Sequence, residues 1–313
     1  MTPLKVVLMG TTDFAVPALE KLVKSGYQVV SVVAQPDRPN QRGKKIKFLP
    51  VKQRAIALGI PVMQPEKIKT SEAVEALRAL EADVFVVAAY GQILSEEILV
   101  MPPMGSVNIH GSLLPEYRGA APVHHAIIDG KKESGVTIMK MDIGMDTGDM
   151  LSKVVVPINE TTTVGILHDI LAQKGAELLI ETLEGLVKGS IIPEKQNEVL
   201  ATYADKVDKE TGKVDWNGTT FEIIRRINGT DPFPGAYTLY QAEKVKCFDP
   251  KFIEWQGCEK PGTILTADVK DGLTVKTFDG AINIGTIQTA GKKRMASNVY
   301  FRGNTMQVGR VLN

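Results

Sequence analysis

A chain of 313 residues with 43% hydrophobic and 23% charged side chains has material for about two folded domains and is not a disordered polymer. Its 37 basic and 36 acidic side chains leave a net charge of +1, which excludes a global polycation; the balance is uneven, with −3 over residues 1–205 and +4 over 206–313. Two cysteines, Cys247 and Cys258, exclude a disulfide-built scaffold and a four-cysteine zinc site, so free thiols are expected.

In chain order, residues 4–10 predict a strand ending in glycine, 14–26 a helix stopped at Gly26, and 29–34 a second strand. The apolar start contains Lys5 and ends at Gly10, unlike a signal peptide. Residues 35–50 hold three prolines and a glycine and read as a loop. Next come a helix over 51–59, a short strand over 60–63, a helix over 71–82 with Ser71 as candidate cap, and an apolar strand over 83–89. Strands at 106–110 and 135–141 bracket a short helix containing His124 and His125, and a long amphipathic helix spans 164–189. The uncharged stretch 98–115 is broken by Pro102, Pro103 and Gly105 and cannot span a bilayer as a plain helix. A soluble cytoplasmic protein is the expectation.

Alternation of apolar strands with helices predicts an α/β fold: a Rossmann-like, mostly parallel sheet with ligands outside the carboxyl ends of its strands, near the switch point. Residues 190–207 have little periodicity and read as a linker. Residues 208–313 show five or six short β-like runs broken by turn signals, the pattern of a small, OB-like β-barrel. The expected organisation is a catalytic domain over 1–189, a linker over 190–207 and a barrel over 208–313.

Three stretches carry chemistry. In the first, SVNIHGSLLPEYRGAAP, Asn108 and His110 lie two apart on a strand and share one face. A carboxamide donor beside an imidazole suits a developing oxyanion, although both are equally readable as polar strand-end residues. In the second, MDIGMDTGDML, the glycines allow sharp turns that aim one of Asp142, Asp146 and Asp149 into a cleft, where it would favour and orient an imidazolium. The acidic spacing does not match a calcium loop, and no metal is expected. In the third, residues 38–54 carry seven basic side chains (Arg38, Arg42, Lys44, Lys45, Lys47, Lys52, Arg54) and no acidic one. A second acid-free tract, 291–310, adds Lys292, Lys293, Arg294, Arg302 and Arg310, with Tyr300 and Phe301 among them. Such tracts are either solvated faces or a grip on a phosphate backbone.

Other features are weaker. MGTTDFAVP follows a strand but lacks the spacing of a dinucleotide loop. Adjacent His124 and His125 point in different directions and read as surface or packing residues. His168, within the long helix, reads as exposed. The cysteines read as small core residues.

Six motifs in order, LMGTTDFAVPAL, QPDRPNQRGKK, VVAAYGQIL, NIHGSLLPEYRGAAP, GVTIMKMDIGMDTGDM and DPFPGAY, resemble the folate-dependent formyltransferases that use 10-formyltetrahydrofolate, over essentially the whole chain. Together they are similar to the members whose acceptor is the initiator methionyl-tRNA. The resemblance implies formyl transfer without metal, by a constellation of three catalytic residues, Asn108, His110 and Asp146. It implies that Ser112, Leu113, Leu114 and Pro115 border the folate site, with Tyr90, Gly91 and Gln92 beside the pteridine. It implies that Arg42, Lys44 and Lys45 meet the acceptor stem while the barrel, with Lys292, Lys293 and Arg294, grips the tRNA elsewhere. Nothing in it demands more than a monomer. Two positions depart from the family pattern: Glu116 stands where relatives usually carry Lys or Arg, and Thr12 where many carry Pro.

Overall fold

The computed structural model describes residues 3–38 and 49–313. Arg42, Lys44, Lys45 and Lys47 therefore lie outside the described residues. The chain divides into two compact units that are not contiguous in sequence. The first comprises Met1–Gly119, Ser134–Val156 and His168–Tyr203; the second comprises Ala120–Glu133, Pro157–Leu167 and Ala204–Asn313. The expected boundaries, drawn at 189 and 208, treat each unit as one continuous stretch.

In the first unit, β1 (Lys5–Gly10), β2 (Gln28–Val33), β3 (Val62–Met63), β4 (Val84–Ala88) and β5 (Ser106–His110) stand in the order β3-β2-β1-β4-β5 with every pair parallel. The two-residue strands β6 (Arg118–Gly119) and β9 (Tyr203–Ala204) are not part of this sheet. The sheet continues through β7 (Glu133–Lys140), antiparallel to β5, and β8 (Met150–Pro157). Its middle strands are apolar without alternation because helices cover both faces. The first helices of this unit are α1 (Val16–Lys24), α2 (Pro50–Ala57), α3 (Ser71–Arg78) and α4 (Glu96–Leu99), while α5 (Pro122–Ile128) belongs to the second unit. Val7, Met9, Val33, Val74, Leu77, Phe85 and Val87 form one buried cluster between sheet and helices. On the other face runs α6 (Val164–Lys188). It closes on the sheet at Gly175, where a Cβ would come within 2.7 Å of Ile109 and 3.3 Å of Val136.

Three local expectations change. The cap of α3 is Thr70, whose side chain accepts from Ala73 N, and Ser71 is already helical. β8 was not foreseen; it alternates buried with exposed residues, with Lys153 and Val155 facing out. Residues 190–203 are no free linker, for Glu194 and Met150 exchange two backbone hydrogen bonds of 2.9 and 2.8 Å.

In the second unit, α7 (Thr220–Asn228) interrupts a region expected to be all strand. Its signals are a capping box, Thr219 with Glu222, and a buried stripe of Ile223, Ile224 and Ile227. The strands are β10 (Tyr237–Tyr240), β11 (Glu243–Ile253), β12 (Ile264–Asp268), β13 (Gly272–Lys276), β14 (Ala281–Thr289) and β15 (Met295–Ala296). They pair antiparallel in the order β10-β11-β14-β13-β12, with β15 on β14. The last residues fill the gap between the two edges. Ile264 N donates to Arg310 O (2.9 Å) on one side, and Leu239 N to Asn313 O (2.6 Å) on the other. This seam makes the sheet barrel-like, and it answers the unpaired-edge problem of an open antiparallel sheet.

Trp216, Val245, Cys247, Ile284 and Leu312 pack inside. Burial pushes the Cys247 thiol up to about 12, so it is inert core, while Cys258 is exposed and both are unpaired. Near the end of the region expected to be short strands, β15 gives way to the helical turn α8 (Ser297–Tyr300). No helix among the described residues is long and apolar enough to cross a membrane.

Leu312 is only 4% exposed although it is the penultimate residue. Leu312→Ala should therefore cost about 2–4 kcal/mol, read as a lower thermal midpoint by circular dichroism. An unchanged midpoint would mean that the C-terminal seam contributes nothing to the barrel.

Candidate active site

β5 ends at His110, and Asn108 lies two residues earlier on the same face. The turn that follows is pinned from β7: Thr137 donates through Oγ1 to Ser112 O (2.8 Å) and accepts from Leu114 N (3.0 Å). The His110 ring is 5% exposed. Its Nε2 lies 2.9 Å from Tyr117 O, and because a carbonyl only accepts, Nε2 carries a hydrogen. Its Nδ1 lies 3.6 Å from Asp146 Oδ2. The same oxygen accepts from Gly119 N at 2.8 Å. Asn108 is half-buried, and no hydrogen bond to its carboxamide occurs among the described residues.

The acidic loop reaches this pair by an unexpected route. β7 runs antiparallel to β5, with Lys140 opposite Val107 and Thr137 opposite His110. It therefore delivers the loop to the amino end of β5, and Met141 N bonds Ser106 O there (2.8 Å). The loop then returns across the sheet face that bears Asn108 and His110. The site thus sits beside the carboxyl end of β5, where the parallel sheet turns antiparallel.

Of the three aspartates, Asp142 builds the loop, accepting from Gly144 N (3.1 Å) and Thr147 Oγ1 (2.7 Å). Asp149 contributes its carbonyl to Lys140 N (2.8 Å). Asp146 alone meets the imidazole, from a left-handed backbone at φ +54°, a conformation that Asp tolerates better than most residues.

Two residues the sequence did not suggest hold this loop. Gln196 Nε2 donates to Asp146 O (2.7 Å) and Gly148 O (2.8 Å). Its Oε1 accepts from Arg118 Nε (3.0 Å) and Nη2 (2.9 Å). Arg118 is fully buried and also pairs bidentately with Glu198 at 2.7 and 2.8 Å. Hydrogen bonding to Glu198 raises the Arg118 pKa, and the same bond holds the Glu198 carboxyl below its ordinary value. The available signal was an arginine followed by an apolar run, beside a stretch of 190–207 with too little periodicity to be a helix.

The residues expected at a folate site fall into two groups. Ser112 is buried and donates to Glu116 O (2.6 Å), Leu114 packs with Met139 and Met150, and Leu113 and Pro115 are half-buried. Tyr90 turns its ring into the core, 2% exposed, where its hydroxyl has no partner among the described residues and burial pushes its pKa up to about 12. Its carbonyl accepts from Thr11 Oγ1 (2.7 Å) and Gln35 Nε2 (3.3 Å). Gly91 makes the turn at φ +85°. The Gln92 amide is spent on Ile68 N (2.9 Å) and Pro65 O (3.1 Å).

The basic tracts are less available than their composition suggested. Arg38 pairs with Glu66 (2.8 Å), Arg54 with Glu20 (2.6 Å), and Lys52 with Asp37 and Gln64. Arg294 pairs with Asp231 (2.8 Å) and stacks on Phe248 at 3.5 Å. Phe301 is buried, and Tyr300 packs against the barrel core. Lys292 and Lys293 remain exposed. The histidines outside the site are structural: His124 meets Phe233 O (3.2 Å) and His125 meets Asp205 O (3.1 Å). His168 is not fully exposed as expected but half-buried, edge-on to Phe14.

At Gly148 a Cβ would come within 1.8 Å of Lys140 O. Gly148→Ala should therefore cost about 1–3 kcal/mol through displaced backbone, measured by chemical denaturation. A variant with the parental midpoint would contradict this close approach.

Residues 4–183 match the family model described as Formyl transferase, and residues 206–305 match that described as Formyl transferase, C-terminal domain. The chain is 47% identical to the methionyl-tRNA formyltransferase of Alkaliphilus metalliredigens, over 99% of this chain and 98% of that one. It is 46% identical to the methionyl-tRNA formyltransferase of Bacillus subtilis, over 98% and 97%. Among solved structures, HypX from Aquifex aeolicus in complex with tetrahydrofolic acid superposes with a TM-score of 0.67 at 20% identity. That match covers 96% of this chain and 47% of HypX, and it shows a shared fold alone. The two matched models and the near-full-length identity show that the chain belongs to the methionyl-tRNA formyltransferase family.

Proposed function

We propose that this protein transfers the formyl group of 10-formyltetrahydrofolate to the α-amine of initiator methionyl-tRNA, for translation initiation, acting in the cytoplasm as a monomer and without a metal. The acceptor is that named for relatives matching at 46–47% identity over nearly the whole chain, and HypX offers a precedent for tetrahydrofolate on this fold. One observation carries the site. A half-buried carboxamide, Asn108, has no partner among the described residues and shares a strand face with an imidazole already engaged by a carboxylate. That donor set fits a formyl oxygen.

The folate supplies the formyl carbon. The attacking group is an α-amine, whose pKa of about 7.7–8.0 leaves a neutral fraction near pH 7. Asn108 donates to the formyl oxygen as negative charge develops on it, which is where a fixed dipole acts most strongly. His110 was expected to share that task. Its Nε2, however, is directed at Tyr117 O and its Nδ1 at Asp146, so His110 and Asp146 act together on the proton. The proton shed by the amine passes to this pair and returns to the nitrogen that loses the formyl group, leaving no net proton behind. The turn at Ser112–Pro115 and the segment Tyr90–Gln92 would border the folate.

Asn108→Ala should lower kcat about 10²–10³-fold with little change in KM for methionyl-tRNA. Turnover near that of the parent would contradict the assignment. The same assay, supplied with uncharged tRNA, glycinamide ribonucleotide or an amino sugar nucleotide in place of methionyl-tRNA, should yield no formylated product.

The barrel contact with tRNA rests on Lys292 and Lys293, and the contribution of Arg42, Lys44 and Lys45 rests on family resemblance. Replacing Lys292 and Lys293 together by Ala should reduce the log–log salt dependence of tRNA affinity by about 2. An identical slope would return both lysines to a solvated face. Arg294, tied to Asp231 and Phe248, acts instead by holding the barrel surface.

A further inference from the structure

We infer that Gln196 is a positioning residue for Asp146, held in place by the buried Arg118. The inference rests on the proposed role of Asp146 in the reaction.

The loop that carries Asp146 has little packing to fix it. Met141 at its start packs against the core, but beyond it Ile143 is 77% exposed and Met145 66% exposed, and neither anchors the turn that bears Asp146. Asp146 itself sits at φ +54°, a conformation that persists in a non-glycine residue only when its surroundings hold it. Polar bonds must therefore supply the constraint, and they come from two directions. Gly119 N grips the carboxylate at Oδ2 (2.8 Å), the oxygen that faces His110. Gln196 grips the backbone, with both hydrogens of its single amide nitrogen donated to Asp146 O and Gly148 O, on either side of the turn.

The amide can do this in one orientation only. Its oxygen faces two Arg118 donors and its nitrogen faces two carbonyls, so a flipped amide would set donor against donor and acceptor against acceptor. Arg118 enforces that orientation. It is fully buried, its backbone N donates to Thr202 O (2.8 Å), and Glu198 closes its fork on the far side. Residues 118 and 119 thus control Asp146 twice, directly through Gly119 N and indirectly through Gln196. A misplacement of about 1 Å in a reacting group can lower turnover about 10²-fold. The carboxylate contact at 3.6 Å leaves no slack for one.

The test compares Gln196→Ala, Gln196→Glu, Asp146→Asn and Asp146→Asn combined with Gln196→Glu, reading kcat and KM for methionyl-tRNA separately. Gln196→Glu keeps an ion pair with Arg118 but cannot donate to either carbonyl, so it tests the loop bonds even if the alanine variant folds poorly. Both Gln196 variants should lose about 10–10²-fold in kcat with KM within about two-fold. In the Asp146→Asn background, Gln196→Glu should add less than about a two-fold further loss, because a residue acting through another has nothing left to position. Parental kcat in Gln196→Glu, or an undiminished loss on top of Asp146→Asn, overturns the inference. Parental turnover in Asp146→Asn alone overturns the reading of the site, and the inference with it.

Discussion

A carboxylate facing a buried imidazole is the contact on which the proposed chemistry depends. Asp146 Oδ2 stands 3.6 Å from His110 Nδ1, with 17% of the Asp146 side chain exposed and 6% of the His110 side chain. Little water reaches either group, so their interaction is poorly screened. The opposite ring nitrogen donates to Tyr117 O, which fixes the ring plane and leaves Nδ1 as the edge that meets the acid. An imidazole anchored at one nitrogen and faced by a carboxylate at the other is set to move one proton along one line.

The sheet makes this contact possible by reversing direction at one place. Parallel pairing from β3 to β5 brings Asn108 and His110 to a carboxyl-end rim. The antiparallel β7 then lays the acidic loop back over their face instead of sending it to the same rim. Only a loop with tight turns can fold back so closely, which explains Gly148 beside Lys140 O. Support arrives from residues 194–203, where a buried amide and a buried guanidinium tie that loop to the turn after β5. The bracing segment, distant along the chain, belongs to the same unit as the site.

Much of this was legible in the residues. β5 over 106–110 and α6 over 164–188 were foreseen almost to the residue, because apolar runs bounded by glycine or by a helical period are local signals. Asn108 and His110 stood out on one strand face, whereas the acidic loop left three aspartates open until the family resemblance singled out Asp146; the structure brings His110 and Asp146 together. What escaped depends on distant partners. A local count of positive charge cannot show that Arg38, Arg54 and Arg294 are each matched by an acid far along the chain. Nor can it show that Arg118 is buried, since arginine is buried only when paired and its pairs lie near residue 200. Gln196 looked like linker because its bonds, not its neighbours, place it. The helix α7 was different: its capping box and apolar spacing are local signals, yet the expectation of strands over 208–313 left it out.

The most direct measurement is a double-mutant cycle between His110→Ala and Asp146→Asn, read as kcat for formylation of methionyl-tRNA. If the two side chains act as one proton-handling unit, the double variant should turn over about as slowly as the slower single variant, within about three-fold, because groups that work as a unit are lost together. If the two losses multiply in full, the imidazole and the carboxylate act independently and the account of this site is wrong.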